Sequence, residues 1–316
     1  FDIFGLVFGI RLERIDPPVK WVDDLELYLV RDEESGRPLG AMYLDMFPRE
    51  GKFNHFAQFG LIPGHRRRDG LYQCPVVALI CNFALPEEGK PSLLTHNEVE
   101  TLFHEFGHAM HSILTQAETN RFSGTSVDHD FVEVPSQILE FWAWDKAVLD
   151  RFARDHRDGT RTIPADLLDK MKDASKAVKG THYTRQVAFS LLDMNLHRRR
   201  NRDETVDAID EANAILNDVF LPQPEGGAFA AYFGHLSGYD AGYYSYAWAD
   251  AIAADLDTVF RDSSRGYLNP GDGRRLRESI FAPGGSRDPN ELVKEFLGRS
   301  SSLRPFLESI GAAADN

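Results

Sequence analysis

The sequence predicts a mainly α fold of the α+β kind: a helical domain with a small twisted β-sheet near its N-terminus. Three observations carry this. The pattern changes near residue 92, from short apolar runs broken by turns to apolar residues recurring at three- and four-residue steps. No Pro/Gly/Ser-rich linker, internal repeat or low-complexity tract marks that change. The 316 residues, 42% hydrophobic and 27% charged, have globular values, and a chain of this size buries roughly three quarters of its unfolded surface. The reading is therefore one domain, 1–316, with a sheet-rich part over 1–91 and a helical part over 92–316.

Taken in order, Phe4–Ile10, Leu25–Val30, Ala41–Phe47, His55–Leu61 and Val76–Phe83 read as strands. Asp23–Asp24, Glu34–Pro38, Pro48–Lys52 and Pro63–Gly70 read as turns. From Thr95, the residues Val99, Leu102, Phe106, Met110 and Leu114 keep a helical period. Glu98, three residues after Thr95, completes a capping-box signature. A second helix is expected over Phe131–His156 and a third opening at Pro164. Others are expected over His182–Arg199, Glu204–Phe220, Ala241–Phe260, Gly273–Ile280 and Pro289–Ala313.

Lys and Arg number 35 against 49 Asp and Glu, a net charge of −14. A phosphate lattice and an anionic bilayer both attract basic faces, so neither nucleic acid nor membrane is expected as a partner. No apolar run approaches the length of a membrane span. Cys74 and Cys81 cannot form a disulfide scaffold and read as buried free thiols in a reducing, cytoplasmic compartment. The N-terminus has no basic-then-apolar signal pattern. The chain begins at Phe1 rather than Met, so an upstream piece is expected to have been removed or left out.

The strongest chemical signal is His104-Glu105-Phe106-Gly107-His108, an H-E-x-x-H pattern inside an apolar helix. Residues four apart share a helical face, so both imidazoles can reach one Zn²⁺. Zinc lowers the pKa of a bound water to near 7, and Glu105, beside the first histidine, is placed to take its proton and return it to the leaving amine. A solvated His/Glu face is the competing reading, and the apolar context weighs against it. A catalytic site needs a third ligand and an open position. Glu133, twenty-nine residues after His104, is the candidate, although Asp128, Asp130 and Glu140 serve equally on spacing alone. Glu100, four residues before His104, could accept the other ring N–H of a ligand histidine, with Asp130 as a second such group. His111 reads as a structural histidine.

Two further segments bear on chemistry. Phe233–Tyr246 packs glycines, His235 and four tyrosines into fourteen residues. It offers donors to an oxyanion, or is simply a Gly-rich loop entering an aromatic core helix. Val76–Phe83 is either an edge strand that pairs with an extended peptide or a buried core strand.

Together these pieces resemble the thimet oligopeptidase family of zinc peptidases, which includes oligopeptidase A and dipeptidyl carboxypeptidases. The resemblance runs from Leu6-Val7-Phe8-Gly9 to the C-terminal helices. Its most diagnostic parts are Phe47–Lys52, the His104–His108 helix, Phe122–Thr125, Asp130–Gln137 and the tyrosine loop. It implies a helical zincin-like catalytic domain, with His104, His108 and Glu133 as ligands of one zinc ion and Glu105 as the base. It also implies His235 near the substrate carbonyl, and Tyr239, Tyr243 and Tyr246 on a mobile Gly-rich loop, Tyr243 and Tyr246 in oxyanion and substrate contacts and Gly238 with Tyr239 against substrate. Family members are longer, with an N-terminal helical lobe walling a deep channel. This chain matches the catalytic half, so its site is expected to be open, completed by another chain or self-association, or part of a larger protein.

The expected function is zinc-dependent hydrolysis of short oligopeptides. The alternatives are a peptide-binding or inactive fragment that retains the zinc site, and a dipeptidyl carboxypeptidase. The basic run His65-Arg66-Arg67-Arg68 is a possible carboxylate receptor for the latter, or a solvated turn.

Overall fold

Alternation of apolar and polar residues along the first half of the chain builds a five-stranded mixed sheet. A computed structural model describes residues 1–198 and 205–312. The strands are β1 (Ile10–Ile15), β2 (Glu26–Asp32), β3 (Pro38–Asp45), β4 (Ala57–Ile62) and β7 (Val76–Ile80). A two-residue ribbon, β5 (His65–Arg66) and β6 (Tyr72–Gln73), stands apart. The order is β1-β2-β3-β7-β4. β1, β2 and β3 form an antiparallel meander, β7 runs parallel to β3, and β4 is antiparallel to β7.

β7 is thus an interior strand, and the edge is β4. That settles the two readings of Val76–Phe83 in favour of the core strand, because β4 occupies its second side. The alternate residues of β7 divide accordingly. Val77 and Leu79 join the main core with Met42, Leu44, Phe106 and Met110, while Ala78 and Ile80 pack with Leu25, Leu27 and Tyr43 on the other face. An apolar run buried on both faces is what a central strand requires.

The Phe47–Lys52 segment closes the ends of β3 and β7. Lys52 Nζ donates to the carbonyls of Asp45 (3.0 Å), Phe47 (2.6 Å) and Cys81 (2.5 Å). Its ammonium also pairs with Asp45 Oδ1 at 2.8 Å, with both side chains 3% exposed. Arg49 makes a two-pronged contact with the same carboxylate at 2.7 and 2.9 Å, and Trp21 Nε1 donates to it at 2.8 Å.

The first strand expected, Phe4–Ile10, is instead helix α1 (Asp2–Phe8). Ile3, Phe4, Val7 and Phe8 are buried at helical spacing, and Gly9 stops the helix in the left-handed conformation, with φ 62°. A short apolar run carries no period of its own, so length and pattern could not separate the two. Its neighbour β1, and the short β5–β6 ribbon, were not expected.

The helical part begins with α2 (His96–Leu114), whose capping box at Thr95 and Glu98 is formed. The single helix expected over Phe131–His156 is broken into α3 (Val134–Glu140), a 3₁₀ turn at Phe141–Trp144 and α4 (Lys146–Phe152). Asp145 starts α4 by accepting from Val148 N at 3.0 Å. In contrast, the helix opening at Pro164 and the one expected from His182 are a single rod, α5 (Ala165–His197). Gly180 inside it costs only about 1 kcal/mol relative to alanine, too little to end a helix of this length.

α6 (Ala208–Val219), α7 (Ser245–Arg261), α8 (Pro270–Leu276) with a π turn at Arg277–Phe281, α9 (Pro289–Leu297) and α10 (Arg304–Ser309) follow. The helix expected over Pro289–Ala313 divides at Gly298, which is left-handed at φ 68°. The expected helix ends at Arg199, Glu204 and Ala313 lie outside the described residues.

The main core joins α1, α2, α3, α7 and α9 to one face of the sheet. A smaller cluster of Ala188, Phe189, Leu192, Ala212, Leu216, Phe233 and Tyr243 couples α5 and α6 to the tyrosine loop. Cys74 and Cys81 are free, and burial pushes the Cys81 thiol up to about 12. No helix among the described residues is long and apolar enough to cross a membrane.

The Asp45 hub makes a checkable contribution to acid stability. Burial works against the charged carboxyl, but hydrogen bonds from Arg49, Lys52 and Trp21 outweigh it and hold it at about 2, below the ordinary 3.8. A depressed folded value means stability that is complete above about pH 4 and lost as pH falls through about 2. Urea unfolding of Asp45→Asn between pH 5 and pH 2 should show lower stability at pH 5 and a shallower fall toward pH 2 than the parent chain.

Candidate metal centre

Two helices bring the chemistry together because one glycine lets them touch. Gly107 lies on α2 between the two histidines. A Cβ built on it would stand 2.5 Å from Pro135 O and 2.6 Å from Ser136 Cα, at the start of α3. Any larger residue would push α3 away. Pro135 sits in the first turn of α3, where its missing N–H leaves no bond unmade. Glu133 is the residue immediately before that helix, so its side chain is aimed at α2 by the helix start.

His104 Nε2 lies 3.2 Å and His108 Nε2 3.1 Å from Glu133 Oε2. Three ligand atoms, one from each residue, lie within 4.8 Å of one another, and no other such group of His, Cys, Asp or Glu occurs among the described residues. Glu133 is 2% exposed. Burial opposes its charge, and the imidazoles of His108 and His104 hold its carboxyl well below the usual carboxylate range. Ser136 Oγ donates to Oε2 at 3.1 Å, and Tyr239 OH donates to Oε1 at 2.5 Å. The donor set suits a divalent cation: two imidazole nitrogens and one carboxylate oxygen, converging, with no lysine or arginine among the described residues paired to Glu133.

Glu105 is buried on the same helix, and burial raises its carboxyl above the ordinary value. The edge strand β4 packs against α2, which brings the free edge of the sheet alongside the helix that bears the two histidines.

The contact expected of Glu100 is made by a different residue. Glu140, at the end of α3, stands 2.6 Å from His104 Nδ1. Glu100 instead accepts from Trp144 Nε1 at 2.6 Å. Both glutamates flank His104, but the Nδ1 edge of the ring turns toward α3, which a pattern confined to α2 could not reveal. Asp130 makes no contact with a histidine of the group. It accepts from Tyr244 OH at 3.1 Å. His111 lies outside the group, fully buried and edge-on to Phe281, and burial pushes its imidazole down to about 3.

The tyrosine loop covers the site. His235, in a 3₁₀ turn at Gly234–Ser237 that ends at Gly238, packs near Tyr239, Tyr243 and Tyr246, with ring centroids 6.0, 5.3 and 5.7 Å away. Burial lowers its imidazole. Tyr239 and Tyr246 lie 5.0 Å apart, and burial followed by the charge of Glu133 pushes both hydroxyls up. Tyr243 is placed differently from its neighbours. Its ring is 7% exposed and packed on Phe189 and Phe233. In the basic run, Arg66 pairs with Glu118 and Arg67 with Asp69, each at 2.7 Å. A cavity of about 510 Å³ opens between β4 and α2, touching Gly60, Ile62, Ser112, Arg121, Ser123 and Thr125. It lies one helical turn beyond His108 rather than over the histidines.

A helix bearing H-E-x-x-H, a glutamate at the start of the next helix and a sheet edge alongside belong to a zincin-like fold. Comparison with known proteins places the chain more narrowly. The model of peptidase family M3 matches residues 1–312, and the chain belongs to that family. It is 39% identical over 315 residues to a thimet-like oligopeptidase of Dictyostelium discoideum and 38% identical over 316 residues to oligopeptidase A of Salmonella typhimurium. Each match covers 98% of this chain and 46% of the relative. Saccharolysin of Saccharomyces cerevisiae is 37% identical over 98% of this chain and 44% of its own length. The chain therefore spans about half the length of these curated relatives. Among solved structures, a carboxypeptidase of Pyrococcus furiosus shares the fold at 18% identity, with a TM-score of 0.53 over 85% of this chain and 53% of that one.

Two substitutions test the geometry. Gly107→Ala should weaken zinc binding by roughly tenfold or more, because Glu133 loses its place, and a competition titration with a chromogenic chelator reads this directly. Glu140→Gln keeps the fold but removes the charge at His104 Nδ1. The same titration should show about 10–100-fold weaker zinc binding, whereas Glu100→Gln should change it little.

Proposed function

We propose that this chain carries the catalytic site of a zinc-dependent peptidase that hydrolyses peptide bonds in short oligopeptides. The observation that carries the reading is the convergence of His104, His108 and Glu133 beside a buried glutamate, Glu105, next to a free sheet edge. His104 Nε2, His108 Nε2 and Glu133 would hold one Zn²⁺. When bound, the ion supplies Lewis acidity toward a carbonyl oxygen and makes water a stronger acid at neutral pH.

The remaining work belongs to the chain's own side chains. Glu105 accepts the proton of the attacking water and delivers it to the leaving amine. Its burial favours holding that proton between the two steps. Tyr246 and His235 face the same space and donate hydrogen bonds to the oxyanion that develops on the scissile carbonyl. Their hydrogen atoms are available at neutral pH because burial keeps the phenol protonated and the imidazole neutral. Tyr239 orients Glu133 through its hydroxyl, and Tyr243 supports the loop from the core side. Gly238, without a side chain, leaves room for substrate backbone. The extended peptide adds to the outer edge of β4, whose N–H and C=O groups have no strand partner on that side.

Internal cleavage is favoured over stepwise release of dipeptides. Arg66 and Arg67 of the basic run are each paired with a neighbouring carboxylate, which disfavours them as receptors for a chain-terminal carboxylate. The cavity past His108 also gives room for peptide beyond one side of the scissile bond.

Zinc-loaded protein should cleave an N-blocked decapeptide at internal positions, as read by mass spectrometry of the products, and a chelator should stop it. Glu105→Gln should retain zinc and lose about 10²–10⁴-fold in turnover. Chelator-insensitive cleavage, or wild-type turnover by the variant, would refute the mechanism.

A further inference from the structure

We infer that Asp193 is the positioning residue that holds the tyrosine loop over the metal group. The inference rests on the peptidase reading above for its consequence, and on geometry alone for the contact. Asp193 lies near the end of α5, with no exposed surface. Its carboxylate is aimed at the loop and nearly filled by it. Oδ1 accepts the backbone N–H of Ala241 at 2.9 Å, and Oδ2 accepts that of Tyr243 at 2.9 Å. His197, one turn further along α5, places Nδ1 2.8 Å from Oδ1.

Two N–H groups, two residues apart and turned toward one anion, form a backbone nest, and such a concavity is electropositive. Here the anion is the protein's own. The nest has a conformational cost. Ala241 has φ 55° and is the one non-glycine residue with positive φ among the described residues. A residue with a Cβ avoids that region unless its surroundings impose it. The contact with Asp193 is what imposes it.

The consequence falls on the residues either side. Tyr239, two positions before the nest, reaches Glu133, and Tyr246, three positions after Tyr243, faces Tyr239 and His235. The opposite side of the loop is held by residues 128–130. A Cβ on Gly242 would stand 3.2 Å from His129 Nδ1, and Tyr244 OH reaches Asp130. Without Asp193, the buried N–H of Tyr243 and the N–H of Ala241 lose their carboxylate acceptor and Ala241 can relax to a negative φ. The loop's path shifts by the geometry of one residue, which is enough to carry Tyr239 off Glu133.

The test uses Asp193→Asn, which keeps the shape and loses the charge and one acceptor. Turnover of a neutral quenched peptide by zinc-saturated protein should fall at least tenfold. The segment 238–244 should become sensitive to limited proteolysis while the far-UV circular dichroism stays that of the parent. Adding Ala241→Gly should restore at least part of the turnover, because glycine adopts positive φ freely. A side chain that serves only core stability would lower the melting temperature without these loop-specific effects. Should Asp193→Asn not fold, Ala241→Val strains the same nest from the other side and should give the same protease sensitivity. A protected loop with parental turnover in either variant would overturn the assignment. Proteolysis reports on the clamp even if the chain cleaves no peptide, so failure of the clamp and failure of the peptidase reading are separable.

Discussion

The approach of α2 to the start of α3 at Gly107 is the constraint on which the rest of this site depends. Interhelical packing normally leaves 8–10 Å between axes because side chains intervene. At Gly107 the backbone of residues 135–136 occupies the volume of the missing side chain. A glycine inside a helix costs about 1 kcal/mol relative to alanine. Here that local loss admits a carboxylate from a second helix into the space between two imidazoles. The H-E-F-G-H segment therefore encodes more than imidazoles at i and i+4. It also encodes how close the helix start that carries Glu133 can come.

The sheet serves the same end by a different route. Lys52 reaches the carbonyls that end β3 and begin the segment after β7, so these parallel strands finish at the same level. That fixes β7 against α2, and β7 in turn carries β4. An exposed edge strand with apolar residues such as Phe59, Leu61 and Ile62 is ordinarily a liability for aggregation. Under the peptidase proposal this edge has a use, since an extended peptide would satisfy its free backbone groups and cover its side chains at once. The liability is confined to one edge, because the opposite edge strand, β1, carries charges at Arg11, Glu13 and Arg14.

Much of this was legible in the residues alone. The period from Val99 to Leu114 located the metal helix, its capping box located the start, and the H-E-x-x-H spacing located the imidazoles. Glu133 stood among several acids that spacing could not separate. What stayed hidden was whatever depends on a second element. Glu100 and Glu140 both carry the right chemistry for His104 Nδ1, and only the direction of α3 decides between them. Among the tyrosines, the family resemblance favoured Tyr243 and Tyr246, yet the loop's path turns the Tyr243 ring into the α5–α6 cluster and sends Tyr239 to Glu133. The helix α1 and the unbroken α5 show the same limit. A seven-residue apolar run has no decisive period, and a lone glycine is too weak a signal to end a rod whose length is set by tertiary contacts.

Glu133 shows why these hidden contacts matter together. Its two oxygens do different things. Oε2 faces the imidazoles of α2 and the hydroxyl of Ser136, and Oε1 takes the hydroxyl of Tyr239 from the loop. A buried carboxylate is costly unless every lone pair has a partner. The loop's tyrosine thus completes a set that the helices leave one donor short. Position of the loop and orientation of the proposed third ligand are then two ends of one hydrogen bond. Movement of the loop frees Oε1, and the carboxylate can rotate in response. In a site of this construction, the covering loop does more than shut out water: whether it is seated determines how the buried carboxylate points.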